Sequence, residues 1–198
     1  NKDKKVIVVR GGVNIPRNIK RVNKIFDGVF LGRLHPQKGV LELVDIWSMV
    51  VKSRPNAKLV MIGDGPLMSE VKEKIKFSKL EGNITLTGTL LDGPEKFQIF
   101  QQSKIFMHSA VYDSGGMSAA EGMAWGMPGV AFDLEALKTY YPKGVLKAPI
   151  GNIKTYANLI LKLLKNKDLY RRTTEDAIAL VKEYWDWDKR AQEVLVSF

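Results

Sequence analysis

A chain of 198 residues with 45% hydrophobic content suffices for one domain, or a little more, around its own core. The absence of cysteine excludes a disulfide framework and any cysteine-based zinc site, and no apolar run approaches the ~20 residues needed to span a bilayer. The net charge of +10 is uneven: residues 1–38 hold ten Lys or Arg against Asp3 and Asp27, or +8, and the remaining 160 residues carry about +2. Such a basic end fits an anionic ligand, a membrane surface or simple solubility. Nucleic acid is disfavoured, because no aromatic-interleaved platform, zinc finger or long lysine tract accompanies the charge. The opening "NKDKKVIVVRGG" has no initiator Met and no signal-peptide apolar region, and it begins close to a strand, as a piece of a longer chain would.

In chain order, Lys5 to Val9 is a short β-branched run that reads as a strand ended by Gly11 and Gly12. Gly28 to Leu34, "GVFLGRL", reads as a buried strand. After Lys38, the apolar residues Val40, Leu43, Val44, Trp47, Val50 and Val51 recur at helical spacing, and Pro55 closes that helix. "AKLVMIGDGP" is a strand and a turn, and Pro66 opens a second helix through "PLMSEVKEKIKFSKL". A strand ("NITLTG"), a short helix ("GPEKFQIFQQS") and a strand ("KIFMHSA") lead into the stretch Asp113 to Pro128. "GVAFD" and "GVLKAP" are further strands, and residues 152–198 are helical by period. Strand and helix alternate about six times with short Gly-containing turns, which predicts an α/β fold with a doubly wound parallel sheet. Ligands of such sheets bind at the carboxyl ends of the strands. The turns at Gly32, Gly63-Asp64-Gly65, Gly88 and Gly115-Gly116 all fall at such ends. No internal repeat or internal domain boundary is visible.

The stretch Asp113 to Pro128, "DSGGMSAAEGMAWGMP", carries the most chemistry. Gly115 and Gly116 before a helix leave bare backbone N–H groups where the helix dipole adds positive charge, which is a phosphate site in outline. Asp113 in the loop and Glu121 in the helix can then flank one ligand and accept hydrogen bonds from its hydroxyls. The same residues read equally well as a capping Asp and an ordinary helical Glu. In "GRLHPQKG", Arg33 and Lys38 stand five apart across a loop at a strand's end. Two converging cations suit a diphosphate, at ~1.5–3 kcal/mol per charge-assisted bond, and a surface ion pair is the plain reading. Asp64 in "IGDGP" reads as a turn residue. The Asp186-Trp187-Asp188 run reads as a helix start rather than a metal site, and His35 and His108 as loop or core residues. No G-x-G-x-x-G opens a first helix and no Gly-Lys-Ser/Thr loop occurs, so neither a dinucleotide nor a P-loop site is indicated.

An acid, seven residues and a Glu, followed by "GMAWGMP", resembles the E-x7-E signature of the family 4 glycosyltransferases of GT-B fold. There the pattern runs on as Glu-Ala-Met-Ala-x-Gly-x-Pro. "GRLHPQKG" is similar to the Gly-Arg-Leu-x-x-x-Lys-Gly signature of the same family, and "GGVNIPRN" to its interdomain linker. The chain departs from the pattern twice, with Asp113 for the first Glu and Gly122 for the Ala. The resemblance runs from about Val6 to the end. It implies the Rossmann-like C-terminal half of a GT-B fold: residues 1–22 as a strand and the end of the linker, residues 23–198 as the donor-binding domain with a helical tail, and the N-terminal acceptor domain absent. It implies that Arg33 and Lys38 hold the donor diphosphate and that Glu121 binds the ribose hydroxyls. Asp113 would face the donor sugar, and the N–H groups of Gly116, Met117 and Ser118, beside Gly115, would meet the phosphate or sugar. Gly32, Gly63, Gly88 and Leu90 would line the pocket and the base. It also implies retaining, metal-independent hexosyl transfer from a nucleotide-diphosphate sugar to a hydroxyl acceptor, with no cofactor and little transfer by this half alone. Polysaccharide biosynthesis in the cytoplasm, at the inner face of the membrane where the acceptor is lipid-linked, belongs to the same expectation. The other readings in view are a non-catalytic sugar-nucleotide binding module and a GT-B relative such as an epimerase.

Overall fold

In the computed structural model, residues 11–17, 19 and 22–196 are described. The expected strand Lys5–Val9 lies outside them. Six strands, β1 Phe26–Leu31, β2 Leu59–Ile62, β3 Ile84–Gly88, β4 Ser103–His108, β5 Gly129–Phe132 and β6 Val145–Ala148, form one sheet in the order β3-β2-β1-β4-β5-β6. Every pairing is parallel. The helices are α1 Val40–Ser53, α2 Met68–Phe77, α3 Pro94–Gln102, α4 Met117–Ala124, α5 Glu135–Tyr140, α6 Ile153–Lys165, α7 Lys167–Tyr184 and α8 Trp187–Val196. The doubly wound expectation holds, and its cause is visible strand by strand. Phe30, Leu59, Met61, Ile105, Met107 and Phe132 point to one face and pack on α1, α2 and α6. Val29, Val60, Ile62, Phe106 and Ala131 point to the other and pack on α3, α4, α5 and α7. Strands buried on both faces must be apolar at every position, which is why they read as continuous runs.

Within this frame several boundaries move. The first strand ends at Leu31, so Arg33 and Leu34 belong to the loop. The helix expected from Pro66 begins at Met68, because Leu67 N donates to Leu34 O at 3.0 Å and Met68 N to Gly65 O at 3.1 Å, holding residues 65–67 in a turn. Helix α5 was not expected; at six residues it is too short to show a period. The helical tail is three helices. Asn166 caps α7 through Leu169 N, 2.9 Å from its side-chain oxygen, and the chain breaks again at Trp185 and Asp186.

Gly122 owes its place to packing. A Cβ there would come within 2.5 Å of Phe106 Cγ, because α4 lies directly on β4. Gly122→Ala should therefore lower stability by about 1–3 kcal/mol through overpacking, even though alanine gains up to about 1 kcal/mol of helix propensity. A denaturation midpoint equal to or above that of the parent would contradict this.

Candidate functional site

Strands β1 and β4 are neighbours whose following connections leave in opposite directions, to β2 and to β5. A crevice opens between those connections at the carboxyl ends of the strands. Lys38 enters it from the 3-10 turn Pro36–Lys38 after β1, and Asp113 from the loop after β4. Their ion pair, Lys38 Nζ to Asp113 Oδ2 at 2.5 Å, spans the crevice. The two loops are also tied through their backbones. Ser109 Oγ donates to Lys38 O at 2.9 Å, and Val111 N donates to Gln37 O at 2.9 Å. Gly39, at φ 59°, lies so close that a Cβ would meet Ser109 O at 2.0 Å.

Asp113 is 10% exposed, and both its oxygens are engaged. Oδ1 accepts from Gly116 N at 2.8 Å and from Gly115 N at 3.1 Å. Burial alone would raise its pKa, but the bonds from Lys38, Gly116 and Gly115 outweigh burial and hold it at about 2. The short Asp side chain suits this reach back to N–H groups two and three residues on. Both readings of Asp113 thus meet in one residue, for it braces the glycine loop and also lines the crevice. The Gly116 N–H, expected to meet the phosphate or sugar, is bonded to Asp113 Oδ1 in this structure. Gly116 is in the left-handed region at φ 60° and no side chain caps α4 behind it, so the helix N-terminus remains open at Met117 and Ser118.

Beneath the loop lies His108, 3% exposed, with Nε2 3.5 Å from Asp113 Oδ2 and Nδ1 3.5 Å from Ser118 Oγ. At that distance the Asp113 contact is electrostatic rather than a hydrogen bond. Burial drives the His108 pKa down to about 4, which Asp113 opposes and Lys38 reinforces. Tyr141, just after α5, donates its hydroxyl to Gly116 O at 2.8 Å and Gly115 O at 3.0 Å, while its ring stacks on Trp185 at 5.2 Å. Sequence reasoning overlooked Tyr141 because it overlooked α5.

Glu121 sits in the second turn of α4 with its side chain 32% exposed, and Lys96 Nζ holds its Oε2 at 2.6 Å. Lys96 was not foreseen either. The only signal for it was its i,i+4 spacing from Asp92, which it also meets at 2.7 Å.

One cavity of about 480 Å³ brings together Gly32, Lys38, Asp113, Gly115, Gly116, Met117, Ser118 and Glu121. Arg33 does not line this cavity with Lys38. It is exposed and lines an adjoining cavity of about 330 Å³ with Gly63 and Leu90, and Gly32 is common to both. Gly88 lines neither, and its carbonyl accepts from Gly63 N at 2.8 Å. Among the described residues no three His, Asp or Glu gather as a metal site, and no helix is long and apolar enough to cross a membrane. Asp186 starts α8 through its carbonyl and Arg190 N, as expected of a helix start.

Among solved structures, TarM from S. aureus in complex with UDP superposes with a TM-score of 0.83 at 22% identity, covering 98% of this chain and 40% of that one. The C-terminal domain of a glycosyl transferase group 1 family protein, LpcC from Francisella tularensis, superposes at 0.75 and 18% identity, over 89% of this chain and 100% of that domain. At these identities the likeness is one of fold. Poly(glycerol-phosphate) alpha-glucosyltransferase of Bacillus subtilis is 27% identical over 163 residues, 80% of this chain and 24% of its own length. The chain spans less than half the length of the first curated relatives it matches. The crevice between β1 and β4, its Lys–acid pair and the Gly-Gly helix all fall within residues 15–179, the stretch that matches the family described as glycosyl transferases group 1, and the chain belongs to that family.

Proposed function

We propose that the crevice binds the nucleotide-diphosphate part of a sugar donor and that, within a longer chain, this domain supports retaining, metal-independent hexosyl transfer to a hydroxyl acceptor. The observation that carries the reading is the Lys38–Asp113 pair at the switch point of the sheet, with the open N-terminus of α4 and Glu121 in the same cavity. Lys38 and the first N–H groups of α4 would neutralise the departing diphosphate, so no cation need be supplied. Glu121 would accept from the ribose hydroxyls, and Arg33, one cavity away, would serve the base side or an outer phosphate oxygen. Support comes from the family match and from UDP bound by TarM. Transfer by this half alone should be negligible, because acceptor binding falls to the N-terminal domain expected in the full chain. A cytoplasmic setting goes with the reading, at the membrane's inner face where the acceptor is lipid-linked.

The test is thermal unfolding against UDP, GDP, ADP, CMP and NAD at millimolar concentration. A ligand at a hundred times its Kd stabilises by ~2.7 kcal/mol, which is measurable as a Tm shift for a domain of this size. One nucleoside diphosphate should raise Tm, and Lys38→Ala and Glu121→Ala should each abolish the rise. A shift with NAD alone would overturn the reading.

The engagement of both Asp113 oxygens favours one second reading, a binding module that no longer transfers sugar. Asp113→Glu in the full chain separates the two, since a large gain in transfer would mark a decayed site.

A further inference from the structure

Lys96 is almost wholly buried, its side chain 7% exposed, yet its ammonium lies inside the polar wall of the crevice. It bridges Glu121 Oε2 at 2.6 Å and Asp92 Oδ1 at 2.7 Å, and it sits 5.5 Å from the Phe100 ring centroid. Burial favours the neutral amine, but the two carboxylates raise its pKa above the ordinary lysine value, so it stays charged. Asp92 belongs to the turn between β3 and α3, and Glu121 to α4. The lysine, itself on α3, thus ties the turn before α3 to helix α4 through a single cation.

We infer that Lys96 is the positioning residue for Glu121, fixing its carboxylate so that the site distinguishes a ribose from a 2′-deoxyribose; the inference rests on the donor-site reading above. With Oε2 held by Lys96, the carboxylate cannot rotate freely about its helix, and Oε1 is the oxygen left to accept from a ligand hydroxyl. Without the lysine, Glu121 and Asp92 would be two acids without a shared cation beside an anionic ligand. A hydrogen bond to a charged group discriminates only when its partner is held in place, because otherwise the ordering entropy cancels the gain. A purely structural staple between α3 and α4 would predict lower stability on removing Lys96 and nothing more.

The experiment measures, by calorimetry, binding of UDP, GDP and ADP and of their 2′-deoxy forms to the parent chain, Lys96→Met, Lys96→Arg and Lys96→Gln. The parent should favour the ribose form of its preferred nucleotide by about tenfold, as expected for one hydrogen bond to a carboxylate. Lys96→Met keeps the packing stem and should bring the ratio close to one, and Lys96→Arg should restore it. Lys96→Gln, which keeps no charge, should behave like Lys96→Met and stands in should that variant not fold. A folded Lys96→Met or Lys96→Gln with the parental ratio, or a parent that does not discriminate, would overturn the inference while leaving the donor site intact. Failure of all three nucleotides to bind the parent would instead overturn the donor-site reading itself, and this inference with it.

Discussion

Replacing Gly39 by alanine should cost about 2–5 kcal/mol and remove nucleoside diphosphate binding together. The residue sits at φ 59°, where a side chain costs roughly 1–2 kcal/mol, and its Cβ would lie 2.0 Å from the carbonyl oxygen of Ser109. That neighbour is backbone at the end of β4 and cannot turn aside, so the loops must separate, adding the ~1–3 kcal/mol typical of overpacking. Separation breaks the Ser109 bond to Lys38 O and moves Lys38 away from Asp113. The glycine loop would then lose one of the donors that hold its acid in place. The measurement is a denaturant midpoint together with the nucleotide-induced Tm shift. A Gly39→Ala chain of near-parental stability that still binds would show that the two loops are not coupled in this way.

Acid should weaken the fold in two separate windows. His108 takes up a proton at about 6.5 when unfolded but only at about 4 when buried in the fold. Between these values the unfolded chain holds the extra proton, so stability falls as pH drops from about 6.5 to about 4, by about 3 kcal/mol. Asp113 acts later. Its pKa is depressed, so its contribution is complete above 3.8 and is lost only as pH falls from there toward about 2, a further loss of about 2 kcal/mol. Stability measured by urea unfolding from pH 7 to pH 4 should fall steeply in the parent and be nearly flat in His108→Gln. Parallel slopes in the two proteins would place the acid sensitivity elsewhere.

His108 also shows how much of the site was legible beforehand. Read from sequence it is a core or loop histidine, and it is indeed buried; that it lies against Asp113 and Ser118 follows only from where β4 ends beneath α4. Arg33 shows the converse. Five positions from Lys38, it was expected to converge on the same diphosphate; Lys38 lines one cavity and Arg33 the adjoining one, with Gly32 common to both. The departure at Gly122, unexplained in one dimension, follows from the Phe106 ring under it.

The alternation of apolar strands and amphipathic helices, with glycine in the turns that follow several strands, determined the doubly wound sheet and the end at which the candidate site lies, because burial and backbone freedom are local demands that each segment meets alone. The motifs likewise placed Lys38, Asp113 and Glu121 at one crevice, since strand order brings the ends of β1 and β4 together. Partnership was left to the tertiary structure. The pairing of Lys38 with Asp113, the bracing of the glycine loop by Tyr141 and the hold of Lys96 on Glu121 depend on distances between segments up to 75 residues apart. A polar side chain finds its partner through packed three-dimensional contacts, and no periodicity along the chain records them.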